Sequence, residues 1–180
     1  MFTALAVERE LRARSRKATF RATGQTGILI AGTGVSVDAV VADFISGATE
    51  QLAPANDEDH WDLIEGQGSL FHASYAGVSL GLLHGAQANA LIMCHEPTRT
   101  HMRGLPQQAL PSLQECIDLN QRCGQLTNPG CRVVGISLNT SQLADADVEQ
   151  TCLAIEKETG LPTVDAYRHG AGRLVDALPA

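Results

Sequence analysis

Ala90-Leu91-Ile92-Met93-Cys94 is apolar at every position, and Cys131-Arg132-Val133-Val134-Gly135-Ile136-Ser137-Leu138 is a second mainly apolar run downstream, with Arg132 and Ser137 its polar residues. A strand with one wet face alternates apolar and polar residues. These two do not, so both of their faces are covered, as in a parallel sheet clad by helices on both sides. Working outward, shorter strand segments are expected at residues 17–21, 61–65 and 161–164. Helical segments alternate with them. Residues 3–15 are rich in Ala, Leu, Glu and Arg, all good helix formers. Val37, Val40, Val41, Phe44, Ile45, Ala48 and Leu52 recur at helical spacing and predict one amphipathic helix. Further helices are read at residues 75–84, around Leu113, Cys116, Ile117 and Cys123, and at Val148, Cys152, Ile155 and Thr159 up to a stop at Gly160. A last one holds Ala171, Leu174, Val175 and Leu178. Residues 95–111, with three prolines, read as one long loop. The expected fold is α/β, three-layered, with a mostly parallel sheet and a single domain over residues 1–180.

Composition narrows the function classes. With 180 residues and 44% apolar content, the chain can bury about 70% of its unfolded surface. The net charge of −7 disfavours non-specific nucleic-acid binding, which depends on neutralising phosphates. Six of the thirteen basic residues lie in the first 21 positions. Glu8 and Glu10 interrupt them, unlike an acid-poor transit peptide, so they read as a solvated helix face. No apolar run reaches the ~18 residues of a membrane span. The five cysteines form no C-x-x-C pair and read as reduced core thiols of a cytoplasmic protein. The expected partners are a small-molecule substrate and further copies of the chain, not nucleic acid or membrane.

Ligands of open parallel sheets bind beyond the carboxyl ends of the strands. Polar residues gather after four of the strand segments. Thr23-Gly24-Gln25-Thr26-Gly27 offers hydroxyls, an amide and backbone donors to an anion or a peptide-like group, or else is a tight turn. Glu65-Gly66-Gln67-Gly68-Ser69, followed by His72, places a carboxylate where it can orient a nucleophile or hold Mg²⁺, or else is a plain strand-to-helix turn. His95-Glu96-Pro97-Thr98-Arg99, with His101 and Arg103, combines proton-shuttling imidazoles with guanidinium groups that grip carboxylates. Asn139-Thr140-Ser141 comes after the last of the four. Asp38, in the first turn of its helix, either serves the helix dipole or touches substrate. No zinc spacing and no G-x-S-x-G elbow is found, so no metal site and no hydrolase serine is expected.

The runs beginning at Ala22 (ATGQTGILIAGTG) and Ile64 (IEGQGSLFH), with GLPTVDAYRHGAG from Gly160, resemble a family once filed as a P-loop domain of unknown function. Its members are now described as D-glutamate or D-amino-acid N-acetyltransferases. The resemblance covers nearly the whole chain and implies a P-loop NTPase-like fold similar to dethiobiotin synthetase. Family members carry a G-x-x-x-x-G-K run before the helix matching residues 3–15. The expectation is therefore a domain whose first strand and Gly-rich loop are absent, leaving an open apolar slot in the sheet. The implied reaction moves acetyl from acetyl-CoA to the amine of D-glutamate or another D-amino acid. Under it, Glu65 is the first choice of base and His72 the second, with Gln67 beside them as oxyanion donor. Arg99, Arg103, His95, Asp38 and Ser69 hold the substrate. Thr23, Gly24, Gln25, Thr26 and Asn139 line the cofactor side. Two alternatives stand: an ATP- and Mg²⁺-dependent ligase or kinase-like enzyme, and an inactive fragment or binding module.

Overall fold

The computed structural model describes residues 1–179. Along the chain run α1 (Phe2–Ala13), β1 (Lys17–Arg21), α2 (Gln25–Ala31), two 3-10 turns (Val37–Ala39 and Ala42–Phe44), α3 (Ile45–Leu52), β2 (His60–Ile64) and α4 (Ala76–Ala86). Next come β3 (Ala90–His95), β4 (His101–Met102), β5 (Leu105–Ala109), α5 (Leu113–Gly124), β6 (Arg132–Leu138), α6 (Asp145–Thr159), β7 (Thr163–Val164) and α7 (Gly172–Asp176).

The parallel strands fall into two ribbons. β1 pairs with β2, Phe20 opposite Leu63. β3, β6 and β7 pair in that order, with a register slip between Leu91 and Ile92. On one face α1 and α7 pack around Val7, Leu11 and Leu174, all essentially inaccessible to solvent. On the other, α5 and α6 close over β6 through Ile117, Ile136, Val148 and Cys152, and α4 packs between α3 and α5. This is a three-layer α/β domain with mostly parallel strands, as the apolar runs required.

Helix boundaries follow local chemistry. α5 begins in a capping box: Glu115 N–H donates to Ser112 Oγ, and the Glu115 carboxylate accepts from Ser112 N–H at 2.8 Å. Two of the four orphan amides at that terminus are satisfied this way. α3 and α4 touch backbone to backbone. A Cβ built on Gly85 would collide with Ser46 O, with Thr49 Cβ 2.8 Å away. Gly85→Ala is therefore expected to cost about 2 kcal/mol by overpacking, read as a lowered midpoint in urea.

The structure corrects four expectations. The single helix over residues 37–52 is broken: Val40 and Val41 are extended (ψ 141° and 135°), and regular helix begins only at Ile45. Their β-branched side chains resist helix, and Val41 and Phe44 remain 68% and 67% exposed rather than forming a core stripe. The residues after Gly24 form a helix, α2, not only a turn. The long loop over 95–111 contains an antiparallel hairpin, Met102 opposite Leu105, turning at Gly104. Lastly, the cysteines are not uniformly core: Cys131 and Cys152 are buried, whereas Cys94 is exposed. Burial raises the thiol pKa of Cys116, Cys131 and Cys152. Among the described residues β3 pairs only with β6, and Cys94 lies on it near its carboxyl end.

Candidate active site at the carboxyl ends of the strands

Glu65 comes directly after β2 and is buried, 6% exposed. Its Oε2 accepts the backbone N–H groups of Thr23 and Gly24, each at 3.0 Å. These amides lie at the start of α2, so a carboxylate sits where unsatisfied N–H groups gather. Gly27 makes the approach possible, since a Cβ there would overlap Glu65 Oε2. Thr23, itself buried, donates its hydroxyl to Glu65 O at 2.8 Å and accepts from Gln67 Nε2 at 2.8 Å. The ATGQTG and IEGQG runs thus lock together, with Glu65 Oε2 committed to the two amides.

His72 is also buried, but both ring nitrogens are engaged. Nδ1 accepts from Ser74 N–H at 3.1 Å, which leaves Nε2–H to donate to Arg103 O at 2.8 Å. His72 therefore ties the loop after β2 to the β4–β5 hairpin, which Gln108 Nε2 reinforces through Phe71 O. A histidine so bonded positions a loop more readily than it moves a proton.

A cavity of about 1690 Å³ opens beside these groups. Glu65, Gln67, Ser69, His95, Arg99 and Asn139 line it. Ser69 Oγ accepts from Phe71 N–H, and Asn139 Oδ1 accepts from Ser141 N–H. Arg99 is paired with Glu96. Burial, and then the neighbouring Arg99 charge, lower the His95 pKa, so its imidazole is neutral at pH 7. Thr23, Gly24, Gln25 and Thr26 stand behind Glu65 and outside the lining. Asp38 lies exposed in a 3-10 turn, where it accepts from Ser36 Oγ at 2.6 Å. Arg103 is exposed on the hairpin turn. Neither reaches the cavity.

A fifth strand end belongs to the site as well. Buried Asp165, just after β7, accepts from Thr140 N–H and Oγ1 and from the backbone N–H groups of Tyr167 and Arg168. Burial acts to raise its carboxyl pKa, but these hydrogen bonds outweigh it and bring it below the usual carboxylate range. Asp165, Tyr167 and Arg168 all line the cavity. A sequence signal exists, because Asp165 immediately succeeds a strand, but the strand is only two residues long.

Comparison with known proteins gives a consistent picture. The sequence profile of the "Domain of unknown function (DUF1611_C) P-loop domain" matches residues 1–175. A "D-glutamate N-acetyltransferase" of Tritonibacter scottomollicae is 60% identical over 180 residues, which cover 100% of this chain and 54% of that protein. One from a Pseudoalteromonas species is 50% identical over 178 residues, covering 99% of this chain and again 54% of the relative. The chain thus spans about half the length of the curated relatives it matches, their C-terminal half. A crystal structure of a DUF1611 family protein from Anabaena variabilis superposes with a TM-score of 0.91 at 36% identity, over 97% of this chain and 52% of that one. Among the described residues no helix is long and apolar enough to cross a membrane.

Proposed function

The chain belongs to the DUF1611_C P-loop domain family, and on that premise we propose that it carries the active site of a D-amino-acid N-acetyltransferase. The donor in this reading is acetyl-CoA and the acceptor is the α-amine of D-glutamate or a related D-amino acid. The observation that carries the assignment is Glu65, a buried carboxylate on the cavity wall with one oxygen tied to two backbone amides.

That arrangement supports the following chemistry. Glu65 Oε1 holds the substrate ammonium and takes its proton. The freed nitrogen lone pair then attacks the thioester carbonyl. Collapse of the tetrahedral intermediate breaks the C–S bond, and the departing thiolate takes up the second proton that the nitrogen sheds in becoming an amide. Backbone N–H groups of Gly66 and Gly68, with Gln67, are the donors available to the developing oxyanion. Arg99, at the same mouth, grips a substrate carboxylate through the nitrogen atoms that Glu96 leaves free. The neutral His95 beside it adds no competing charge. A cytoplasmic location fits five cysteines that are all free thiols.

The test is product formation by mass spectrometry, run on this chain and on the full-length Tritonibacter relative. N-acetyl-D-glutamate should form only with acetyl-CoA and the D-enantiomer. Acetyl-CoA should raise the melting temperature, and ATP with Mg²⁺ should not. Stabilisation by ATP and Mg²⁺ alone, with no acetylated product from either protein, overturns the assignment.

A further inference from the structure

The β4–β5 hairpin belongs to neither ribbon. Among the described residues its strands pair only with each other. Met102 stands opposite Leu105 and His101 opposite Ala109, around a turn at Arg103 and Gly104. Outside that pairing, no backbone–backbone hydrogen bond ties residues 100–111 to the rest of the described chain. An isolated two-stranded hairpin is marginally stable in water, so side chains must hold this one in place.

Two hydrogen bonds and one buried side chain do so. His72 Nε2–H donates to Arg103 O at 2.8 Å, and Gln108 Nε2 donates to Phe71 O at 2.8 Å. Met102 is 4% exposed. The two sides of this contact differ in rigidity. His72 is buried, its Nδ1 accepts from Ser74 N–H at 3.1 Å, and its ring packs on Tyr75 with centroids 4.3 Å apart. Its backbone N–H donates to Ser69 O and its carbonyl accepts from Ala76 N–H. On the hairpin side, Thr98 to His101, Pro106, Gln107 and Ala109 are all exposed.

The hairpin also crosses from one ribbon to the other. It leaves the carboxyl end of β3 after His95 and is fastened to the loop after β2, the loop that begins with Glu65. Those two strands belong to separate ribbons, and both of their ends line the cavity. The chain between them therefore spans the cavity, and its own Met102, Leu110 and Pro111 line it too. A segment that crosses a site and hangs on two hydrogen bonds is of low local stability and has the build of a lid.

We propose that residues 100–111 form a strap across the cavity at the strand ends, latched to the opposite ribbon by His72 and Gln108, which opens as a unit to admit and release ligand. Thr98 to Thr100 on one side and Leu110 with Pro111 on the other are its hinges. Shut, it keeps water from the amine and the acyl donor. This role rests on the cavity being the reactive site proposed above. The opening itself does not depend on the reaction.

Two measurements on this chain read the opening without ligand. One is hydrogen exchange at the Met102 and Leu105 amides. The other is trypsin cleavage after Arg103, which needs the turn pulled out of the hairpin. His72→Ala should speed both about five- to tenfold, the weight of one hydrogen bond in a local opening equilibrium. Gln108→Ala removes the other tie from the strap's side, leaves the loop after β2 untouched, and should act in the same direction. Exchange at Val134 and Ile136 in β6 should stay as it was. D-Glutamate with coenzyme A, a pair that cannot react, should slow cleavage after Arg103 in the unaltered chain. Two variants that leave exchange and cleavage unchanged overturn the proposal. Exchange in β6 that rises in step with the hairpin's in both variants also overturns it, since the hairpin then opens only with the whole fold. So does cleavage indifferent to the pair when calorimetry shows the pair bound. Calorimetry showing no binding counts instead against the acetyl transfer proposed above, and the ligand-free measurements still decide the strap.

Discussion

Glu65→Gln is expected to lower kcat for acetyl transfer by about 10²–10⁴-fold, measured at the matching position of the full-length relative. The amide keeps the size of the side chain. It carries no charge to hold an ammonium and cannot take the proton, so the loss should fall on kcat more than on the thermal midpoint. Glu65→Asp gives the complementary result. It retains the charge but draws the carboxylate back from the Thr23 and Gly24 amides, whose 3.0 Å bonds set where Oε1 sits. Activity should fall there too, by misplacement. Full turnover by the Gln variant would remove Glu65 from the chemistry. The proton acceptor would then have to be sought at His95, on the same cavity wall.

The second large effect is on stability. Asp165→Ala removes the acceptor of four hydrogen bonds, from Thr140 N–H and Oγ1 and from the Tyr167 and Arg168 amides. The two Thr140 donors are buried. An unsatisfied buried donor costs about 1–3 kcal/mol, so a loss of about 3 kcal/mol is expected, some 6–12 °C in melting temperature. The wild-type contribution has a defined pH dependence. The folded carboxyl pKa is lowered, below an unfolded value of about 3.9. The stabilisation is complete above that unfolded value and is lost as pH falls through the folded one. The gap between wild type and Asp165→Ala should therefore be constant near neutral pH and close below about pH 4. A gap that stays constant down to pH 2 in chemical denaturation would mean the ionised carboxylate is not what the hydrogen bonds stabilise.

Much of the site is legible in the sequence because strand ends in parallel sheets carry it. Glu65, Gln67, Ser69, His95, Arg99 and Asn139 all lie at or just past the end of an apolar run, and one cavity gathers them. Asp165 has the same placement but escapes that rule, since a two-residue strand such as β7 has too little pattern to announce itself. Asp38 and Arg103 are near such runs only in sequence, and each sits on an exposed turn. His72 is a base by residue type, and only its partners, Ser74 N–H and Arg103 O, reveal a tether.

The sequence by itself determined the layers. The apolar runs within Ala90–His95 and Arg132–Leu138 show no alternation of apolar and polar residues, and a parallel sheet between helices is the arrangement that covers both faces. It also determined where α6 ends, because a stop such as Gly160, left-handed at φ 70°, acts within a few residues. Tertiary structure alone decided the rest. The hairpin inside residues 95–111 and the tie between Glu65 and the start of α2 depend on contacts that other segments supply. Periodicity describes one segment's relation to an averaged surroundings. Which oxygen of a carboxylate is bound, and which is left to meet a substrate, depends on the particular atoms that another segment brings within 3 Å.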